Sequence, residues 1–108
     1  MQITAIKFTE DEEKQIFNTL IEKFNPQKCA ENKNGHTIEF NVNDLIEIEA
    51  TLSLNVEYSE YDSNHQSSPI DVYTQFKMTF FNNDEEVSGM ENSAIYTMIE
   101  TYNWIKYF

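Results

Sequence analysis

Ile46, Ile48, Ala50, Leu52, Leu54, Val56 and Tyr58 alternate with Glu47, Glu49, Thr51, Ser53, Asn55, Glu57 and Ser59. Alternation over this length predicts one long strand within residues 45–60, with a buried face and a wet face. Ile38, Phe40 and Val42 carry the same period before it, and Ile70, Val72, Phe76, Met78 and Phe80 carry it afterwards. Three strands of an antiparallel meander follow from these runs. All three apolar sets occupy even positions, so even residues must face even residues if the apolar sides are to coincide. A two-residue turn at Asn43-Asp44 would put Ile46 on the wrong face. The first loop is therefore expected to have odd length, as in Asn43-Asp44-Leu45. The second loop, Ser59 to Pro69, already obeys the rule, and its Asp, Ser, Asn and Pro residues mark it as exposed.

Helical spacing brackets the meander. Thr9 reads as an N-cap with Glu12 closing a capping box, and Glu10, Asp11, Glu12 and Glu13 fill the first turn, where the helix dipole favours acids. Ile16, Phe17, Leu20, Ile21 and Phe24 then form one stripe, predicting a helix over residues 10–24 that stops at Asn25-Pro26. Ile95, Met98, Ile99, Tyr102 and Ile105 predict a second helix near the C-terminus, capped by Asn92 or Ser93 after an Asn82–Gly89 loop. With a short strand at residues 2–8, the order is β-α-β-β-β-α. The expected fold is an α+β domain spanning residues 1–108, with an antiparallel meander and two helices packed on one sheet face. The core is expected to unite Phe17, Leu20, Phe24, Ile48, Leu52, Phe76 and Met78. Tyr96, Trp104, Tyr107 and Phe108 exceed what one helix stripe buries and predict a homodimer or partner contact through the C-terminal helix.

Charge narrows the function. Nineteen Asp and Glu oppose seven Lys and no Arg, a formal charge of −12 in 108 residues. Such a surface repels nucleic acid and anionic membrane and attracts basic proteins. Fifteen aromatic residues argue for a folded core despite that charge. Cys29 has no internal partner, which suits a reducing compartment, and no basic cluster beside it lowers its pKa. The N-terminal residues lack a signal-peptide pattern, and no apolar run approaches the ~20 residues of a membrane span. A cytoplasmic protein is expected.

Catalytic and metal signatures are missing. Two glycines, Gly35 and Gly89, are too few for a phosphate loop or dinucleotide fingerprint. His36 and His65 have no second ligand at metal spacing. Asp62-Ser63-Asn64-His65-Gln66 begins like a calcium loop, but Tyr73 stands where that loop requires Glu. No serine lies in a nucleophile elbow. The chain is read as non-enzymatic, with no metal and no cofactor.

What remains is the outward face of the meander. The parity argument places Glu39 opposite Glu49 and Glu57 opposite Asp71, with Glu47 near Phe81 and Asn41. Lys77 is the one cation there, and Tyr73 stands among the acids. Facing like charges are destabilising, and a face arranged for stability alone intersperses signs. Glu39, Glu47, Glu49, Glu57, Asp71 and Tyr73 are therefore the candidate partner-binding residues, with Tyr73 as anchor; the alternative is a merely solvated acidic face.

A helix-flanked, three-stranded sheet resembles double-stranded-RNA-binding domains in outline, but that mode of binding needs lysines on phosphates. In composition the chain is similar to small acidic DNA-mimic inhibitors, such as anti-restriction and anti-CRISPR proteins. That similarity implies a basic protein partner. Three long antiparallel strands followed by a helix also resemble SecB export chaperones, which implies an oligomeric scaffold for unfolded chains; the helix after the first strand departs from that pattern.

Overall fold

The computed structural model describes residues 8–59, 68–87 and 93–108. Three helices and four strands occupy them: α1 (Glu10–Lys23), α2 (Pro26–Glu31), β1 (His36–Asn41), β2 (Glu47–Tyr58), β3 (Pro69–Asn82), β4 (Glu85–Val87) and α3 (Ser93–Thr101). A short 3₁₀ turn, Trp104–Tyr107, ends the chain. The fold is α+β, with one antiparallel sheet in the order β1-β2-β3-β4. The strand expected at residues 2–8 lies outside the described residues except for Phe8, which is buried with its ring 5.7 Å from that of Phe80.

Local chemistry sets each boundary. Thr9 Oγ1 accepts from the Glu12 amide at 3.1 Å, and the Glu12 carboxylate accepts from the Thr9 amide at 3.0 Å. Two of the amides that a helix start leaves unpaired are thereby satisfied. Phe24 leaves the helical region as expected before Asn25-Pro26. The polar stretch after it, in which no element was expected from the sequence, begins with α2. Asn25 Oδ1 accepts from the Lys28 amide at 3.1 Å, and Pro26 sits at the first helical position, where its missing N–H costs nothing. The proline that stops one helix starts the next.

Gly35 then turns the chain into β1. Its φ of +82° is a left-handed conformation, and a Cβ there would lie 2.6 Å from the Leu52 carbonyl oxygen. The first hairpin has the odd loop that parity demands: the Val42 amide donates to the Ile46 carbonyl, and Asn43 Oδ1 accepts from the Leu45 and Ile46 amides at 2.8 and 3.0 Å. Ile38 faces Ala50, and Ile48 faces Phe80, so even residues meet even residues across the three strands as far as Glu57, beyond which the register slips. Of the expected core, Leu20, Phe24, Ile48, Leu52 and Met78 are buried, while Phe17 and Phe76 are half-buried against them. Ile16, Ile95, Ile99 and Cys29 join the same cluster.

Two corrections concern the C-terminal third. Asn82–Gly89 is not simply a loop: Asn83 and Asp84 take φ of 50° and 66°, the mirror-image turn that suits a two-residue hairpin, and β4 returns along β3 with Val87 facing Phe80. The last helix does not run to Ile105. The Trp104 indole N–H donates to the Ile99 carbonyl at 2.8 Å, taking an acceptor that a continuing helix would use. The helix ends at Thr101, and the chain folds Trp104 to 2% exposure. Of the aromatic residues expected to form surface there, Trp104 is buried, and Tyr96, Tyr107 and Phe108 are half-buried against the core. Tyr96 packs 5.0 Å from Phe76 and accepts from the Met78 amide at 2.9 Å, and the Tyr102 and Tyr107 hydroxyls meet at 2.8 Å beneath Lys106.

β1 ends opposite Leu52, and β4 reaches only Phe80. Among the described residues, β2 and β3 therefore continue past Leu52 as a two-stranded ribbon. At its end the Ser59 amide donates to the Ser68 carbonyl at 2.8 Å. The radius of gyration is 16.4 Å, against about 13 Å for a compact chain of this length.

Candidate functional site

The even-numbered side chains of β2 from Ile48 to Leu54 enter the core, so alternation leaves the odd-numbered ones on the opposite face. Glu39 faces Glu49, Asn41 faces Glu47, and Thr37 faces Thr51, the two hydroxyls 2.8 Å apart. Across the other pairing, Glu47 faces Phe81, Thr51 faces Lys77, Asn55 faces Tyr73, and Glu57 faces Asp71. Every candidate residue from the sequence thus lies on this one face, with both like-charge pairs in direct register.

The candidates do not form one patch. Glu49 and Glu57 are eight positions apart on a single strand, about 27 Å at 3.4 Å per residue. That is about three screening lengths at physiological salt. Glu39, Glu47 and Glu49 gather at one end beside Phe81. Glu57, Asp71 and Tyr73 sit at the other, on the ribbon. Thr37, Thr51, Ser53, Gln75 and Lys77 separate them.

Glu86 belongs to the first cluster and was missed. It faces Phe81 from β4, a strand signalled only by Asn83-Asp84, two residue types that tolerate left-handed backbone. Glu47 and Glu49 are half-buried, and Glu39, Glu86, Glu57 and Asp71 are exposed. Among the described residues, an ion pair forms between Lys14 and Glu10 on α1, away from this face, at 3.9 Å.

The ribbon cluster is the more organised. Tyr73, 53% exposed, donates its hydroxyl to Glu57 Oε2 at 2.8 Å across the diagonal of the pairing. That hydrogen bond, then the negative charges of Glu57 and Asp71, push the phenol pKa above its ordinary value. Tyr73 is a neutral hydroxyl donor with its ring exposed to solvent. Asp71 Oδ1 accepts from the Val72 amide at 2.8 Å.

Elsewhere the chemistry is structural. Cys29, fully buried, has its thiol pushed up to about 11 by loss of solvent. His36 accepts from the Asn25 amide at 3.3 Å. Among the described residues, no three His, Cys, Asp or Glu converge as metal ligands, no buried side-chain nitrogen or oxygen lacks a partner, and no helix is long and apolar enough to cross a membrane. Comparison with protein-family models gives no match, and neither do comparisons with curated proteins and with solved structures.

Proposed function

We propose that this chain is a non-enzymatic, cytoplasmic protein-binding domain that docks a basic partner through the odd-numbered sheet face, in the manner of a small inhibitor or immunity-type protein. The observation that carries this reading is the register: Glu39 lies directly across from Glu49 and Glu57 across from Asp71, on strands where Lys77 is the cation. Facing like charges weaken a sheet by a few tenths of a kcal/mol or more. Their placement is accounted for by a partner that neutralises them.

Duplex mimicry in the strict sense is less well supported. Twelve net charges on a body 64 Å long amount to about one per 5–6 Å, against one per 1.7 Å of duplex DNA. Two discrete patches, each meeting basic residues, fit that density better than imitation of a continuous phosphate backbone.

The test is affinity capture with the natural chain and with a Glu49→Lys/Glu57→Lys variant of unchanged fold, eluted in a salt gradient. The expected result is a basic protein retained by the natural chain, released by salt, and lost from the variant. Equal retention of that protein by both chains overturns the reading.

A further inference from the structure

Among the described residues, four large apolar side chains are exposed: Leu45 at 61%, Tyr58 at 52%, Ile70 at 56% and Tyr73 at 53%. Leu45 sits in a turn; the other three share the two-stranded ribbon. A two-stranded ribbon needs a packed element to be stable in water; α2 packs against β2 and Leu54 is buried, while Tyr58 and Ile70 beyond it stay uncovered. Here the register slips between Glu57 and Tyr58, a bulge that leaves Ile70 as the extra residue and re-aims the strand end. Below this end runs an open groove of about 420 Å³, bordered by Ala30 and Glu31 of α2, by Val56 and Tyr58 of β2, and by Phe108.

We propose that the ribbon end is the element that engages the partner, and that its groove receives an apolar side chain of a partner segment flanked by lysines or arginines. This rests on the reading of the chain as a binder of basic proteins and adds to its odd-numbered face a second contact, on the even-numbered face of the ribbon end. Charge complementarity selects the occupant. Glu31 is the charged residue lining the groove, Glu57 and Asp71 lie on the other face of the same strands, and the ribbon residues 53–58 and 69–75 include no lysine. A second copy is disfavoured because each chain carries −12. Docking is through the face at the ribbon end, with Tyr58 and Ile70 as exposed apolar contacts and Glu31 as the acidic rim of the groove.

The experiment uses two labelled synthetic peptides of equal length and lysine content, one with leucine and phenylalanine between the lysines and one with serine there. Fluorescence anisotropy is measured on the natural chain, on Tyr58→Ser/Ile70→Ser, and on Glu31→Lys, with melting curves as the folding control. The apolar peptide is expected to bind the natural chain about tenfold more tightly than the serine peptide. Tyr58→Ser/Ile70→Ser should abolish that difference while keeping the salt-sensitive part, and Glu31→Lys should weaken the apolar peptide severalfold. Equal, salt-sensitive binding of both peptides overturns the groove and leaves the acidic-face reading standing. No binding of either peptide at low salt overturns both. A natural chain that sediments as a dimer, dissociated by Tyr58→Ser/Ile70→Ser, assigns the patch to a second copy and ends the proposal.

Discussion

Cys29 shows how position, rather than identity, decides what a side chain does. Its neighbours Gln27, Lys28, Glu31, Asn32 and Lys33 read as a polar stretch, yet the thiol points into the core from α2. Asn25 and Pro26 were legible as a stop, and their second role as cap and first turn was legible in the same letters. The burial was not, because one apolar residue per turn in a six-residue helix leaves no periodicity to read. With its pKa raised to about 11 in the fold, against 9.0 for an ordinary thiol, the group remains protonated at neutral pH. Ellman's reagent should therefore react with native protein at no more than the unfolding-limited rate, and promptly in denaturant; fast native labelling would show the thiol to be accessible. The linkage has a definite sign. Between pH 9 and 11 the unfolded chain has lost this proton and the folded chain has not, so stability falls as pH rises through that window. Denaturation followed by the fluorescence of buried Trp104 should show the fall, with a shallower slope for Cys29→Ala.

Elements were legible where one period ran long. The even-odd alternation from Ile38 to Phe80 determined three strands, the odd first loop and both like-charge pairs, because a one-residue slip would have exposed every apolar side chain. It failed where an element is short or set by a single tertiary bond. β4 has three residues and follows from the Asn83-Asp84 turn, and α3 ends because one indole N–H takes the Ile99 carbonyl. Both turns make predictions. Gly35→Ala combines left-handed strain, about 1–3 kcal/mol, with a Cβ 2.6 Å from the Leu52 carbonyl oxygen, so urea unfolding should lose at least that much. Asp84→Gly relieves left-handed strain of about 1–2 kcal/mol at a φ of 66° against about 0.5–1 kcal/mol of added chain entropy, so stability should hold or rise by up to about 1 kcal/mol. A destabilised Asp84→Gly would mean that the carboxylate makes a contact worth more than the strain.

At the scale of the whole molecule, shape and charge compete. The ribbon lengthens the body to 64 Å and spreads the charge, yet Glu39 and Glu49 remain face to face within the four-stranded part. Sequence parity placed those pairs but not the separation between the two clusters, which depends on where β1 and β4 stop. Self-repulsion at −12 should make folding favourable to salt: screening lengths fall from about 30 Å at 0.01 M to about 10 Å at 0.1 M, so the melting temperature should rise across that range. Glu49→Lys converts one facing like-charge pair into an opposite one on a half-buried position, worth about 0.5 kcal/mol, or about 2–4 °C for a domain of this size. The gain should be largest at low salt and shrink as salt is added, because the same screening acts on the pair. The double variant Glu49→Lys/Glu57→Lys tests whether the face exists for binding: stability held or raised, together with loss of the basic partner, is the expected outcome. A melting temperature that falls as salt is added would show that attractive pairs dominate this surface, and the argument from facing acids would then fail at its first step.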